Sequence, residues 1–296
     1  MRDRPIAIIG AGIVGTAVGA TLQSRGYRVA AVAAKTQASL ERAASYLEAR
    51  ATNDIAEAAR LGDLIFITTS DDSIKEVCDD IGACGAFNAD DIVFHMSGAL
   101  PLSVLAAAQR YGARIGSVHP MQTFATIESA IERLPGSVFG VTAEGEALTE
   151  ADKMINALGG EKVMVKDEDK AVYHAAACVV SNYLVSLVHL GQGLYGEIGI
   201  EADMARKAFA PLLEGTVANI ECYGPAAALT GPIARGDIGT VARHIEALRR
   251  TAEWALPAYR EMGVYTVRVA VEKGTVDENT AMELNRLLET PDAAVE

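Results

Sequence analysis

Four side chains that could give or accept a proton recur at helical spacing in the second half of the sequence. They are Lys170, His174, Cys178 and Ser181, separated by four, four and three residues. Residues three or four positions apart share one face of an α-helix, so this spacing predicts a polar face. Asn182 follows eight residues after His174 and could lean into the same cleft. Such groups could deliver a proton to a substrate atom that gains negative charge during a reaction.

The spacing alone leaves the proton donor open between two residues. We expect His174 to donate the proton, with Lys170 one turn earlier in support and Asn182 as a third catalytic group. Alternatively, Lys170 is the donor. A structural interpretation also exists for each: His174 could be a core histidine with satisfied hydrogen bonds, and Lys170 a surface residue in the first helical turn.

A glycine pattern near the start predicts a second functional region. Gly10, Gly12 and Gly15 follow the apolar run Ile6–Ile9 and open a predicted helix over residues 12–25. In this context Gly-x-Gly-x-x-Gly is a dinucleotide fingerprint, because the glycines allow a tight turn and close approach of a pyrophosphate. We expect the cofactor to bind at Gly10, Gly12, Ile13, Val14 and Gly15. The structural alternative is an ordinary glycine-rich turn.

The end of the second predicted strand, residues 28–33, indicates which dinucleotide would bind. NAD sites usually place an acidic residue there, to hold the ribose 2′-hydroxyl. This sequence has no Asp or Glu between Gly26 and Glu41, and it offers Ala34, Lys35 and Thr36 instead. A cation and a hydroxyl at that position favour NADP, although Lys35 could also be a solvated loop lysine.

Further polar residues follow predicted strands, where the sites of parallel sheets form. Thr69, Ser70 and Ser97 are candidates for the cofactor, or else they cap turns and helices. Ser97, Ser181 and His119 are candidates for the substrate. We expect His119 in a loop directly after a strand over residues 114–118, where it either serves the reaction or hydrogen-bonds the backbone. Arg235, in a loop between helices, either clamps a substrate carboxylate or ties that loop in place.

Alternating strand and helix patterns position these residues. They predict an α/β protein: a Rossmann-type doubly wound, mostly parallel sheet over residues 1–166, then an all-helical domain over residues 167–296. We expect a helix over residues 38–49 and a helix capped by Asp71 or Asp72. Long helices are predicted over about 168–196, 201–222, 238–262 and 276–289. Residues 265–269 could form a strand or a helix, and Asp237 should cap the helix that follows it.

Composition limits the class of protein. The chain has 296 residues, of which 50% are apolar, and a net charge of −13. Acidic chains bind nucleic acid poorly. The four cysteines lack metal-ligand spacing, so we expect reduced thiols, no metal site and a cytoplasmic protein. Residues 171–196 contain no charged side chain other than histidine, yet their polar groups argue against a membrane span. We expect this apolar helix to be covered in a homodimer formed through the helical domain.

Several segments carry a resemblance that covers nearly the whole chain: HMSGA at residues 95–99, SVHPMQTF at 117–124, YHAAA at 173–177, SNY at 181–183 and TGPIARGD at 230–237. The chain resembles oxidoreductases that combine a Rossmann-like domain with a DUF2520 domain, within the superfamily of 6-phosphogluconate dehydrogenase and ketopantoate reductase. The resemblance implies an NADP-linked reaction and helical domains that pack across a two-fold axis.

Two relatives in that superfamily inform the catalytic helix. Ketopantoate reductases carry a lysine followed by asparagines four and eight residues later. Asn182 can align with the second asparagine, which places His174 at the lysine position, or Lys170 can fill that position instead. Both alignments depart from the pattern. His174 and Asn182 are also similar to a prephenate dehydrogenase helix, and His119 to a His-Pro-Met segment at the nicotinamide of those enzymes.

We therefore expect an NADP-dependent oxidoreductase that transfers hydride to a small carboxylate-bearing carbonyl or imine compound. A 2-oxo acid similar to ketopantoate is the best single candidate. Two alternatives stay open: an NADP-binding sensor or scaffold without catalysis, and an NADP:deazaflavin oxidoreductase.

Overall fold

A computed structural model describes residues 4–289 of the chain. The chain divides into two compact units, and the boundary falls between Asn182 and Tyr183. The domain boundary near residue 166 stays a prediction, since it marks the end of the strand pattern rather than the edge of a compact unit.

The first unit contains an eight-stranded sheet in the order β3-β2-β1-β4-β5-β6-β7-β8. All neighbours are parallel except β6 and β7, which are antiparallel. Parallel neighbours need crossover connections, and helices supply most of these. The predicted doubly wound, mostly parallel sheet is confirmed. The strands are β1 Ile6–Ile9, β2 Val29–Ala33, β3 Arg50–Thr52, β4 Leu64–Ile67, β5 Ile92–His95, β6 Arg114–Pro120, β7 Val138–Ala143 and β8 Glu161–Met164.

Helices cover both faces of this sheet, and the strands β1 and β4 are accordingly apolar at every position. Leu64 and Phe66 of β4 enter one hydrophobic core, while Ile65 and Ile67 enter the other. This alternation explains why the strand has no polar side. The helices are α1 Ile13–Ser24, α2 Gln37–Ala44, α3 Ile55–Arg60, α4 Asp71–Ala83, α5 Ala106–Arg110, α6 Ile127–Arg133, α7 Gly145–Leu158 and α8 Lys170–Val180, with 3₁₀ turns at Leu102–Leu105 and Asp167–Asp169.

The second unit is helical, as predicted. Its core includes Val241, Ile245, Leu256 and Leu284. Asp237 caps a helix there by accepting a hydrogen bond from the Thr240 N–H at 2.9 Å, which confirms the predicted cap. The helices are α9 Asn182–Glu197, which starts at the boundary residue, α10 Ala202–Tyr223, α11 Pro225–Ala228, α12 Ile238–Thr251, α13 Leu256–Lys273 and α14 Glu278–Glu289, with 3₁₀ turns at Ile233–Arg235 and Glu253–Ala255.

Two predicted helices are interrupted. The helix expected over 168–196 breaks at Ser181 into α8 and α9. Ser181 and Asn182 are weak helix formers because their side chains compete for backbone hydrogen bonds. The helix expected over 238–262 breaks at Ala252, before Pro257 in the first turn of α13. Proline lacks the N–H that a continuous helix would need. Residues 265–269 are helical, within α13.

Two local predictions in the first unit are wrong. The helix expected over 38–49 ends at Ala44, because the chain turns there and buries Leu47 in the core. The N-cap residue of α4 is Ser70, whereas Asp71 or Asp72 was predicted. Asp71 accepts a hydrogen bond from the distant Ser97 hydroxyl at 2.7 Å, so its carboxylate serves a long-range contact that a local pattern cannot reveal.

Candidate active site

The glycine loop between β1 and α1 has the geometry that its sequence predicts. Gly10 has a φ of +117°, which L-residues rarely adopt. A Cβ atom at Gly10 would lie 2.7 Å from the Thr68 carbonyl carbon. A Cβ atom at Gly15 would overlap Thr68 Oγ1 and come within 2.6 Å of the Gly10 carbonyl oxygen. Glycine is therefore required at both positions by close approach to the segment after β4.

The N-terminus of α1 is open to a ligand. Gly12 precedes the helix without a side-chain cap, and no acidic residue lies in the first turn. The unpaired N–H groups and the positive end of the helix dipole favour an anion there. Beside this turn, the Thr69 hydroxyl is buried without a hydrogen-bond partner among the described residues. These features fit the pyrophosphate of a dinucleotide.

The loop after β2 presents a cluster of hydroxyl and cationic groups. Lys35 and Thr36 are exposed. Thr36 caps α2 by accepting from the Ser39 N–H, and its hydroxyl donates to Ser39 Oγ at 2.9 Å. Arg42 Nη2 lies 3.4 Å from the same Ser39 oxygen. The sequence analysis did not single out Ser39 or Arg42, although Arg42 is seven residues after Lys35, on the helix that this loop starts. The cluster fits a 2′-phosphate.

One cavity of the first unit joins the glycine loop to the candidate acid–base groups. Its volume is about 860 Å³. Of the residues that line it, all within the described first unit, none is Asp, Glu, Lys or Arg, so its titratable groups are histidines and a cysteine. We call it the histidine pocket; its lining residues are Gly12, Ile13, Val14, Thr68, Thr69, Ser70, His119, Met121, Gln122, Thr123, Phe124, His174, Ala176, Ala177, Cys178, Val180, Ser181 and Asn182.

His119 reaches the histidine pocket from the end of β6. The loop predicted for it is wrong, because β6 continues to Pro120 and His119 pairs with Gly140 of the antiparallel β7. The parallel ladder with β5 ends two residues before His119, at Ser117. His119 Nδ1 lies 3.1 Å from the Tyr173 hydroxyl. Burial, followed by the nearby positive groups, lowers the pKa of His119 to about 4, so its imidazole is neutral at pH 7.

His174 approaches from α8 and lies beside His119. Their ring centroids are 5.8 Å apart, at 70°. His174 Nδ1 is 3.7 Å from Cys178 Sγ, one helical turn later. A Cβ atom at Gly98 would lie 2.8 Å from His174 and 2.9 Å from His119, so glycine there lets both rings approach. The predicted polar helix face thus does bring His174, Cys178 and Ser181 to one pocket.

Lys170 belongs to the same helix but points into the core. It is 2% exposed and does not line the histidine pocket. Its Nζ donates to Ser117 Oγ at 2.5 Å and to the Ser97 carbonyl oxygen at 3.2 Å. Burial lowers the pKa of Lys170 to about 8, and the carboxylates Asp167 and Asp71 oppose that shift. This arrangement makes Lys170 a buried cation behind the histidines rather than a surface residue.

Ser97 connects that buried cation to α4. Its hydroxyl donates to Asp71 Oδ2 and accepts from the Ala99 and Leu100 N–H groups, both at 3.1 Å. Ser97 therefore closes a turn. Its N–H donates to Nδ1 of His95, a fully buried histidine whose pKa falls to about 3, mainly through burial. Roles for Ser97 toward cofactor or substrate stay predictions.

The remaining candidates divide between the two units. Thr69, Ser70, Ser181 and Asn182 line the histidine pocket. Arg235 is exposed and belongs to the second unit, in a 3₁₀ turn that ends at Gly236. Its predicted role as a carboxylate clamp stays a prediction. The structure adds Tyr173 and Asp71, which the sequence analysis did not propose as site residues.

A doubly wound sheet, an uncapped helix after a glycine loop, and two imidazoles on one pocket define a dinucleotide-binding domain with acid–base groups at its site. The chain matches the family models of a Rossmann-like domain over residues 3–120 and of a domain of unknown function, DUF2520, over residues 137–266. It therefore combines these two domains, and the predicted resemblance is confirmed. No curated protein matches the chain significantly in sequence.

Solved structures share the fold across almost the whole chain. BF3122 of Bacteroides fragilis, named as a provisional NADP oxidoreductase, is 24% identical, with a TM-score of 0.73 over 91% of this chain and 98% of its own. Protein TM1727 of Thermotoga maritima is 21% identical, with a TM-score of 0.68 over 92% and 100%. A reductive aminase of Aspergillus terreus, in complex with NADPH and ethyl levulinate, is 20% identical, with a TM-score of 0.63 over 95% and 98%.

Proposed function

We propose that this protein is an NADP-dependent oxidoreductase that reduces a carbonyl or imine carbon of a small molecule. One observation carries the proposal: the histidine pocket has an uncapped helix N-terminus and glycine loop on one wall and His119 and His174 on another. The first wall suits a dinucleotide phosphate. The second suits proton delivery to a heteroatom that gains charge.

NADP is favoured over NAD by the loop after β2. Lys35, Thr36, Ser39 and Arg42 supply charge and hydroxyl donors, and Glu41 is the first acidic residue after Gly26. Charge-assisted hydrogen bonds of this kind contribute about 1.5–3 kcal/mol each. When bound, the nicotinamide would supply the hydride, while the protein orients it against the substrate. Lys35 and Arg42 would hold the 2′-phosphate, and Gly12, Ile13 and Val14 the pyrophosphate.

His174 is the better candidate for the proton donor. It lines the histidine pocket, whereas Lys170 is buried and already donates to Ser117 and Ser97. A donor must come within hydrogen-bond distance of the atom that it protonates. Lys170 adds positive charge behind the pocket instead. Asn182, on the pocket wall, would orient the substrate.

The pocket lining supports a small carbonyl or imine compound as the substrate. Apolar residues such as Val14, Met121 and Phe124 accompany neutral polar groups and histidines. A small imine or carbonyl compound suits this surface, and ketopantoate is one such carbonyl compound. Proteins of the same fold include a pyrroline carboxylate reductase, a reductive aminase and an imine reductase. Imines are therefore the first compounds to test. A carboxylate on the substrate stays part of the proposal, with Arg235 as the predicted clamp.

The test is a substrate panel with purified protein and NADPH. It includes 2-oxo acids such as ketopantoate, cyclic imines, ketones mixed with amines, and a deazaflavin, with consumption of NADPH followed by its absorbance. We expect turnover with an imine or carbonyl compound, and loss of that turnover in His174→Ala. Tight NADPH binding without turnover of any member would favour a sensor or scaffold. Turnover of the deazaflavin alone would favour the NADP:deazaflavin reaction.

We further propose that the protein is a cytoplasmic homodimer formed through α9 and α10. No residue of α9 is buried, and Tyr183 and Val185 are 60% and 69% exposed. On α10, Leu212 and Tyr223 are each 65% exposed. An apolar surface of this extent usually marks a contact with another molecule. A second copy of the chain offers the same apolar helices in return.

A membrane is the competing partner for this surface. The helical stretch Asp167–Glu197 is long and apolar enough to cross one by length and composition. However, Lys170 of α8 is buried inside the first unit, and α8 lines the histidine pocket as far as Val180, which leaves the 16 residues of α9. These span about 24 Å, whereas the hydrocarbon core of a bilayer is about 30 Å thick. Charged residues of α10, such as Glu214 and Glu221, also disfavour lipid.

Light scattering after size exclusion tests this proposal. We expect twice the chain mass of 31.1 kDa. Val185→Glu should produce monomers, because it would place a charge in the interface, whereas Met282→Glu on α14, also exposed, should not. A wild-type monomer at micromolar concentration, or a requirement for detergent to stay in solution, would contradict the dimer.

A further inference from the structure

Tyr173 touches the site without lining the histidine pocket. It lies on α8 directly before His174, and its hydroxyl is 3.1 Å from His119 Nδ1. The two rings meet edge to face, with centroids 5.7 Å apart and an interplanar angle of 86°. The contact joins α8 to the end of β6 and occupies one of the two nitrogens of His119. Only Nε2 is then left for a ligand.

β7 provides the space for this contact. Gly140, the residue paired with His119 across the antiparallel ladder, faces the Tyr173 hydroxyl. A Cβ atom at Gly140 would overlap the phenol oxygen. Any larger residue at position 140 would displace the ring. The strand register therefore places the Gly140 backbone, the Tyr173 phenol and the His119 imidazole next to one another.

The protonation states of Tyr173 and His119 decide which of them donates the hydrogen bond. Burial raises the pKa of Tyr173, so the phenol keeps its proton, while the pKa of His119 falls to about 4. A backbone hydrogen bond with Gly140 opposes part of this rise in the pKa of Tyr173. The phenol hydrogen is then available for His119. A neutral imidazole that accepts at Nδ1 carries its hydrogen on Nε2.

We propose that Tyr173 is a positioning residue that holds His119 in its neutral Nε2–H tautomer, so that His119 donates a hydrogen bond to an acceptor atom in the histidine pocket. This rests on the proposed function for the identity of that acceptor, the oxygen or nitrogen of the bond being reduced. A neutral donor stabilises developing negative charge without releasing its own proton. His119 and His174 thereby take different roles: His119 polarises the bond being reduced, and His174 protonates its heteroatom.

Tyr173→Phe tests the proposal, because it keeps the ring and removes the hydroxyl. The first readout is nitrogen NMR of the histidine ring, which needs no substrate. We expect the Nε2–H tautomer at His119 in the wild type and a mixture of tautomers in the variant. Loss of a bond that favours the neutral imidazole should also raise the pKa of His119. Wild-type His119 with its hydrogen on Nδ1, or an unchanged tautomer in the variant, would overturn the proposal.

The second readout is kinetic, with the substrate found in the panel. Tyr173→Phe should lower kcat about tenfold, leave KM and NADPH affinity within about threefold, and move the acid limb of the pH profile to higher pH. A tautomer change without loss of kcat would overturn the catalytic part. Absence of turnover in the wild type would count against the proposed function, while the NMR result would still decide the role of Tyr173.

The chain offers a matched control. Tyr259 and His244 in the second unit form the same pair, with the hydroxyl 2.9 Å from Nδ1 and the rings 6.0 Å apart at 80°. Tyr259→Phe removes a similar hydrogen bond, between two residues that do not line the histidine pocket. We expect it to change the NMR signals of His244 and to leave kcat unaltered. An equal loss of kcat in this control would assign both effects to general destabilisation and overturn the proposal.

Discussion

Replacing Lys170 by methionine should change how stability depends on pH. The side chain is 2% exposed, and its Nζ is held by Ser117 and the Ser97 carbonyl. Burial lowers its pKa from 10.5 to about 8. Between these two pH values the unfolded chain binds a proton that the folded chain has released. The free energy of unfolding therefore rises with pH in this interval.

The size of the effect follows from the shift. Each pKa unit corresponds to about 1.4 kcal/mol, so the titration of Lys170 should add about 2.5 kcal/mol between pH 7 and pH 10. Methionine has a similar length and no charge, and the variant lacks this contribution. Titrations common to both proteins cancel in the difference between them. The free energy of unfolding of the wild type, relative to that of Lys170→Met, should thus increase by about 2.5 kcal/mol from pH 7 to pH 10.

Urea unfolding followed by circular dichroism, at a series of pH values, measures that difference. A difference that changes by less than about 0.5 kcal/mol from pH 7 to pH 10 would contradict this prediction, because it would mean that the ammonium is not desolvated in the folded protein. A difference that falls with rising pH would refute it as well. It would indicate that the carboxylates Asp167 and Asp71 dominate over burial.

Three further predictions concern the cofactor and the proton donor. NADPH should bind at least tenfold more tightly than NADH, and Lys35→Glu should remove most of that preference; calorimetry that gives equal wild-type affinities would contradict it. Gly15→Val should lower the melting temperature and weaken NADPH binding more than tenfold, since the new side chain overlaps Thr68. The control Gly239→Ala should change neither property, because its methyl group meets nothing closer than 3.7 Å. His174→Ala should lower kcat by about 10²–10⁴ with NADPH affinity preserved; a larger loss in Lys170→Met would move the donor role to the lysine.

Local patterns predicted most of the fold. The continuous apolar run of β4 indicated a strand buried on both faces, and the glycines after β1 indicated a helix with an open N-terminus. Both depend on spacing within one element. The helix predicted over 38–49 failed because burial of Leu47 against the sheet outweighed local propensity. The break at Ser181 depends similarly on side chains that compete with the helix backbone.

Only part of the site was predictable from the sequence, because several of its contacts join distant segments. Helical periodicity correctly grouped His174, Cys178 and Ser181, but it could not show that Lys170, on the same face, meets the sheet rather than the pocket. His119 was recognised, while its partner Tyr173 was not, because that contact depends on the register of the antiparallel β6–β7 pair. Contacts between distant segments of this kind leave no periodic signal in the sequence.

Transfer of deuterium shows directly whether this protein passes a hydride from NADPH to its substrate. NADPH that carries deuterium on the reactive face of its nicotinamide would be incubated with the protein and the best imine or carbonyl substrate of the panel, and the product analysed by mass spectrometry. We expect one deuterium on the former carbonyl or imine carbon, at a rate that His174→Ala lowers at least a hundredfold. Product without deuterium, or no NADPH consumed with any member of the panel, would contradict it.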